Sequence, residues 1–171
     1  MINKKICMLG AFSVGKTSLV AQYVHSVFSD KYLSTVGVKI SKKTIAVDDG
    51  QEVTLVLWDM EGRDIFTNVN VGYLRGAMGF FVVADGTRAE TLDTALELRS
   101  LVLDQVGEVP NALLVNKADL ADQWELTEST LNQAKAEGIP VFHTSAKTGQ
   151  SVEEAFRTLA EAMLMKAGRN V

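Results

Sequence analysis

Four short segments carry residue types that do chemistry together. Gly10-Ala11-Phe12-Ser13-Val14-Gly15-Lys16-Thr17 fits the pattern G-x-x-x-x-G-K-[ST], in which a glycine-rich loop wraps a phosphate. A strand feeding such a loop, and a helix leaving it, aim backbone N–H groups and the positive helix end at a bound anion. Gly10, Ser13, Val14, Gly15, Lys16, Thr17 and Ser18 are the candidate contacts in this segment. Lys16 can reach the outer phosphates, and the Thr17 hydroxyl can ligate the Mg²⁺ that accompanies them. Asp59-Met60-Glu61-Gly62 adds an aspartate suited to the same ion and a glycine whose backbone can close on a γ-phosphate. Asn116-Lys117-Ala118-Asp119 offers a carboxylate, Asp119, that can accept from both N1–H and the 2-amino group of guanine. Adenine has neither donor, so this pairing discriminates by leaving a buried group unpaired in the wrong complex. Ser145-Ala146-Lys147 can bring a backbone N–H to the guanine O6.

Each segment follows an apolar run that reads as a strand. Ile6-Cys7-Met8-Leu9 precedes the glycine loop, and Ser18 to Val24 after it shows apolar residues at helical spacing. Val53 to Trp58, Gly79 to Ala84, Ala112 to Val115 and Val141 to His143 are the later strand candidates. Near-continuous apolar runs suit parallel strands covered on both faces. Thr91 to Val106 and Val152 to Lys166 carry helical apolar stripes, and the methionines of the second belong to core packing. Lys39 to Val47 alternates apolar and polar residues before Asp48-Asp49-Gly50 turns the chain, which predicts one antiparallel hairpin. The expected fold is three-layer α/β. A six-stranded, mostly parallel sheet carries one antiparallel edge strand and has helices on both faces. Ligands of such sheets bind at the carboxyl ends of the strands, where all four segments lie.

Composition narrows the function classes. A chain of 171 residues suits a single domain over 1–171. Its net charge of −4 gives no basic footprint for nucleic acid or anionic lipid. The one cysteine, Cys7, falls in the first strand and has no partner for a disulfide, as in a reducing compartment. His25 and His143 have no neighbouring ligand in the sequence and read as surface or packing residues. No apolar run spans a membrane, and Ala167-Gly168-Arg169-Asn170-Val171 offers no cysteine for prenylation. A cytoplasmic monomer without a stable membrane anchor is the expectation.

The order and spacing of the four segments resemble the Ras superfamily of small GTPases over essentially the whole chain. Within it, Thr35-Val36-Gly37-Val38, Trp58-Asp59 and Tyr73-Leu74-Arg75-Gly76-Ala77 are similar to segments of the Rab branch. The resemblance implies a P-loop G domain that binds GTP and GDP with Mg²⁺ and hydrolyses GTP. Thr17, Thr35 and Asp59 would ligate the metal, and Thr35 would sense the γ-phosphate. Phe28 would cover the guanine edge, and the Lys117 stem would lie along the base plane. Lys16, Thr35, Gly62 and Arg63 would stand at the catalytic end. Effectors, an exchange factor and an activating protein would read the segments near residues 30–40 and 60–75. Ile40, Trp58 and Tyr73 occupy the places of the Rab aromatic triad, with an isoleucine first.

Three residues depart from the family pattern where hydrolysis is organised. Arg63 replaces the usual glutamine, Glu61 stands before the glycine, and Phe12 is bulky at a small position. Arginine has only donors, so Arg63 cannot reproduce the amide that both donates to and accepts from an attacking water. Phe12 would crowd the space an arginine finger needs. These features imply slow intrinsic hydrolysis, with a GTP-bound interaction scaffold as the rival reading. A P-loop kinase or ATPase is disfavoured by Asn116 to Asp119.

Overall fold

The computed structural model describes residues 1–31, 35, 37–60 and 71–169. β1 (Ile2–Gly10) runs into the glycine loop, and α1 (Lys16–His25) leaves it. β2 (Val38–Ala46) returns antiparallel beside β3 (Glu52–Met60), with the Val47 N–H donating to the Gln51 carbonyl across the turn. The single turn α2 (Val71–Leu74) leads to β4 (Gly79–Asp85) and α3 (Glu90–Val106). β5 (Asn111–Asn116), α4 (Glu128–Ala136), β6 (Val141–His143) and α5 (Val152–Arg169) complete the described chain.

The strand order is β2-β3-β1-β4-β5-β6, and every pairing except β2–β3 is parallel. This is the expected sheet. From the central β1 the chain moves to β3 on one side and later to β4 on the other. That reversal opens a crevice beyond the strands' carboxyl ends.

Two apolar cores sit on opposite faces because strand side chains alternate. Ile6, Met8, Leu57, Phe81 and Val83 face α1 and α5, where Tyr23 stacks on Phe156 at 3.9 Å. Cys7, Leu9, Phe80, Val82 and Val115 face the other way, against Leu92, Ala95 and Leu98 of α3 and Leu131 of α4. Burial pushes the Cys7 thiol up to about 11, so it acts as a small core residue. Met163 is core, as read from the stripe, whereas Met165 is exposed.

Helix α4 is an element that the apolar pattern does not announce. Only Leu131 and Ala134 of its nine residues are buried, so its apolar stripe is short. Its start is set instead by a cap. The Thr127 side chain accepts from the Thr130 N–H, and Thr130 reciprocates to the Thr127 N–H. Among the described residues no helix is long and apolar enough to cross a membrane.

Candidate functional site

The glycine loop is shaped by what surrounds it. A side chain at Gly10 would meet the Val83 carbonyl at 2.5 Å, so the loop begins with the one residue that lets β4 pass. Gly15 takes φ +102 and lies against the Asn116 amide, which leaves no room for a Cβ. Ser13 also has positive φ, at +62. Lys16 is buried and donates from Nζ to the carbonyls of Gly10 and Ala11, both at 3.0 Å. Burial lowers its ammonium to about 8, an unfavourable setting for a cation that a bound anion would reverse.

Beside Lys16 three oxygen-bearing side chains converge. The Thr17 hydroxyl donates to Asp59 Oδ2 at 2.6 Å and also lies 2.6 Å from the Thr35 hydroxyl. With its proton given to Asp59, Thr17 accepts from Thr35. Asp59 Oδ1 is buried and has no hydrogen-bond partner among the described residues. Burial pushes the Asp59 carboxyl up, and the Thr17 hydrogen bond and the Lys16 charge only partly oppose this. A buried, unpartnered carboxylate oxygen is costly unless a ligand completes it. One carboxylate and two hydroxyls are hard oxygen donors that suit Mg²⁺, which keeps positions for waters and substrate phosphates. Among the described residues no three His, Cys, Asp or Glu side chains converge on a metal. The donor set therefore fits a shared Mg²⁺ site and not an all-carboxylate cage.

The second half of the site is fully tied together. Asn116, at the end of β5, donates from Nδ2 to the Val14 carbonyl at 3.0 Å. Its Oδ1 accepts from the Thr144 hydroxyl at 3.2 Å and the Ala146 N–H at 3.3 Å. One buried amide thus joins the glycine loop, β5 and the segment after β6. Asp119 accepts the Ser145 hydroxyl at 2.7 Å, and Ser145 Oγ in turn accepts the Thr148 N–H at 3.0 Å. Asp119 is exposed, Ser145 and Ala146 are buried, and Lys147 is exposed.

Asp85, Thr87 and Arg88 were missed in the sequence. Asp85 closes the wholly buried strand β4 at its carboxyl end, which was the available signal. It receives Lys117 Nζ at 2.7 Å and Arg88 Nε at 3.1 Å on one oxygen, and the Thr87 N–H and hydroxyl on the other. Burial alone would raise its carboxyl, but the Lys117 and Thr87 hydrogen bonds outweigh that and hold it below the usual range. Arg88 also reaches the Phe12 carbonyl, donating from Nη2 at 2.7 Å.

Phe28 lies partly exposed after α1, and the Phe12 side chain is 51% exposed. Ile40 pairs opposite Trp58 across β2 and β3, and the Trp58 and Tyr73 rings lie 6.1 Å apart, so the three form one cluster. Lys5 Nζ stands over the Trp58 ring at 3.5 Å. His143 stacks on Trp124 and His25 is exposed. Glu61, Gly62 and Arg63 lie outside the described residues.

A family model described as the Ras family matches residues 5–165. The chain belongs to the Ras family. Its relatives include Ras-related protein Rab-13 of Canis lupus familiaris, 32% identical over 166 residues, which cover 96% of this chain and 81% of the relative. Ras-related protein Rab-32 of Homo sapiens is 36% identical over 168 residues, covering 94% of this chain and 75% of the relative. Ras-related protein Rab-8B of Homo sapiens is 31% identical over 169 residues, with 98% and 81% covered. This Ras-family chain is Rab-like, and as a small GTPase it is a guanine-nucleotide-binding switch of the Mg²⁺-dependent class.

Proposed function

We propose that residues 1–171 form one G domain whose crevice divides GTP and GDP recognition between two ends. At the base end, Asp119 accepts from the N1–H and 2-amino group, and the backbone of Ser145, Ala146 and Lys147 meets O6. The Lys117 stem lies along the base and Phe28 covers its edge. At the phosphate end, the loop from Gly10 to Ser18 surrounds the phosphates and Lys16 draws the outer ones. Thr17, Thr35 and Asp59 would hold Mg²⁺, which when bound offsets negative charge on the phosphate oxygens. Thr35 and Gly62 sense the γ-phosphate, so that segments near 30–40 and 60–75 order for effectors and regulators and release on its loss. The observation that carries this reading is the Asn116 hydrogen bond to the Val14 carbonyl, because it sets base loop and phosphate loop side by side.

The intrinsic hydrolysis of GTP is slow in this reading. Arg63 has no acceptor to orient a water. Single-turnover hydrolysis by the purified protein is expected at or below about 10⁻⁴ s⁻¹. Fast turnover without a partner would overturn this and make Arg63 an arginine finger supplied in cis. Phe12, half-exposed on the phosphate loop, favours a second reading as a GTP-bound scaffold. The nucleotide carried through purification separates the two: stable GTP supports the scaffold, and an exchangeable mixture supports the switch.

A further inference from the structure

Arg88 stands outside the four sequence motifs, yet it is the one described side chain bonded both to Asp85 and to the glycine loop. Its guanidinium is anchored on the buried Asp85 carboxylate through Nε at 3.1 Å. The same group donates from Nη2 to the Phe12 carbonyl at 2.7 Å, 76 residues away in sequence. Two donors of a rigid planar fork are thus fixed at once, which a lysine cannot match. Asp85 is held in turn by Lys117 and Thr87, so Arg88 is braced by a carboxylate that cannot move independently.

The consequence follows from peptide geometry. In a trans peptide the carbonyl of one residue and the N–H of the next point in opposite directions. Fixing the Phe12 carbonyl toward Arg88 therefore fixes the Ser13 N–H away from it. Ser13 also holds a left-handed backbone, φ +62, that a non-glycine residue adopts only at a cost. We infer that Arg88 is a positioning residue for the phosphate loop: its bond to the Phe12 carbonyl holds the strained Phe12–Ser13 peptide so that the Ser13 N–H donates to a bound nucleotide phosphate. This rests on the guanine-nucleotide reading of the site and adds a residue to it. Arg88 touches no nucleotide itself and acts through the loop.

The test is the release rate of fluorescent mant-GDP from the full chain with Mg²⁺, compared for wild type, Arg88→Ala and Arg88→Lys. Loss of a charge-assisted hydrogen bond is expected to speed release about ten-fold in Arg88→Ala. Arg88→Lys, which keeps a charged donor but not the planar fork, should recover only part of the retention. The preference for GDP over IDP, which lacks the 2-amino group, should be unchanged in both, because Asp119 and Ser145 are not in contact with Arg88. A merely structural role would loosen base discrimination as well. Wild-type release from Arg88→Ala, or an equal change in the GDP preference, overturns the inference alone. Failure of the wild-type chain to retain mant-GDP overturns the underlying reading with it.

Discussion

The two ends of the crevice close their hydrogen bonds differently. At the base end Asn116 uses its amide on Val14, Thr144 and Ala146, and Asp119 already holds the Ser145 hydroxyl. At the phosphate end Asp59 keeps one buried oxygen without a partner among the described residues, and Lys16 carries a charge in a setting that disfavours it. The proposed base end is therefore already braced by the fold, and a bound base would have little rearrangement to drive. The proposed phosphate end would be completed by its ligand, because an anion and a divalent cation would relieve the groups the protein leaves unfavourably placed. In the proposed reading, the base end would set which nucleotide is held, and the phosphate end how long.

The largest effect that separates the ends comes from Asp119→Asn. It removes the double acceptor for guanine while leaving the glycine loop intact. GDP affinity should fall about 10³-fold or more, with a gain for xanthosine diphosphate, measured by mant-nucleotide competition. Unchanged guanine preference would break the assignment of that end.

A smaller effect is expected from Asp85→Asn, which weakens the brace shared by Lys117 and Arg88. Breaking this partly exposed ionic group should cost about 1 kcal/mol of stability at pH 7. Because the folded carboxyl lies below its usual range, its contribution is present above the unfolded value of 3.8 and is lost as pH falls through the folded value. Urea unfolding of wild type and Asp85→Asn should therefore begin to converge as pH falls below about 4 and meet only below the folded value. A difference that persists undiminished in acid would show that Asp85 acts through packing and not charge.

What could be read from the sequence follows the same division by locality. The glycine loop, Asp59 and the segment from Asn116 to Asp119 are short patterns whose chemistry is written in adjacent residues. The mostly parallel sheet with one antiparallel edge strand followed from continuous apolar runs and one alternating strand, whereas the strand order came only from the structure. Helix α4 was hidden because two buried residues make no stripe, and only the Thr127–Thr130 cap marks its start. The Arg88 bond to Phe12 and the Lys117 bond to Asp85 join residues far apart in the chain. Such pairings come from packing β4, β5 and the glycine loop side by side, and no local pattern encodes them. The bonds of Asn116 to Val14, Thr144 and Ala146 likewise join distant segments, so its bracing role is not legible beside its place in the Asn116 to Asp119 segment.

The most direct measurement is the release of mant-GDP from the purified chain with Mg²⁺ and with EDTA, with GDP, IDP and ADP as competitors in each condition. Removing Mg²⁺ should accelerate release at least ten-fold, while the ranking of GDP over IDP and ADP persists, because the two ends act separately. Release that ignores EDTA, or ADP competing as well as GDP, would contradict a preformed guanine end joined to a phosphate end that its ligands complete.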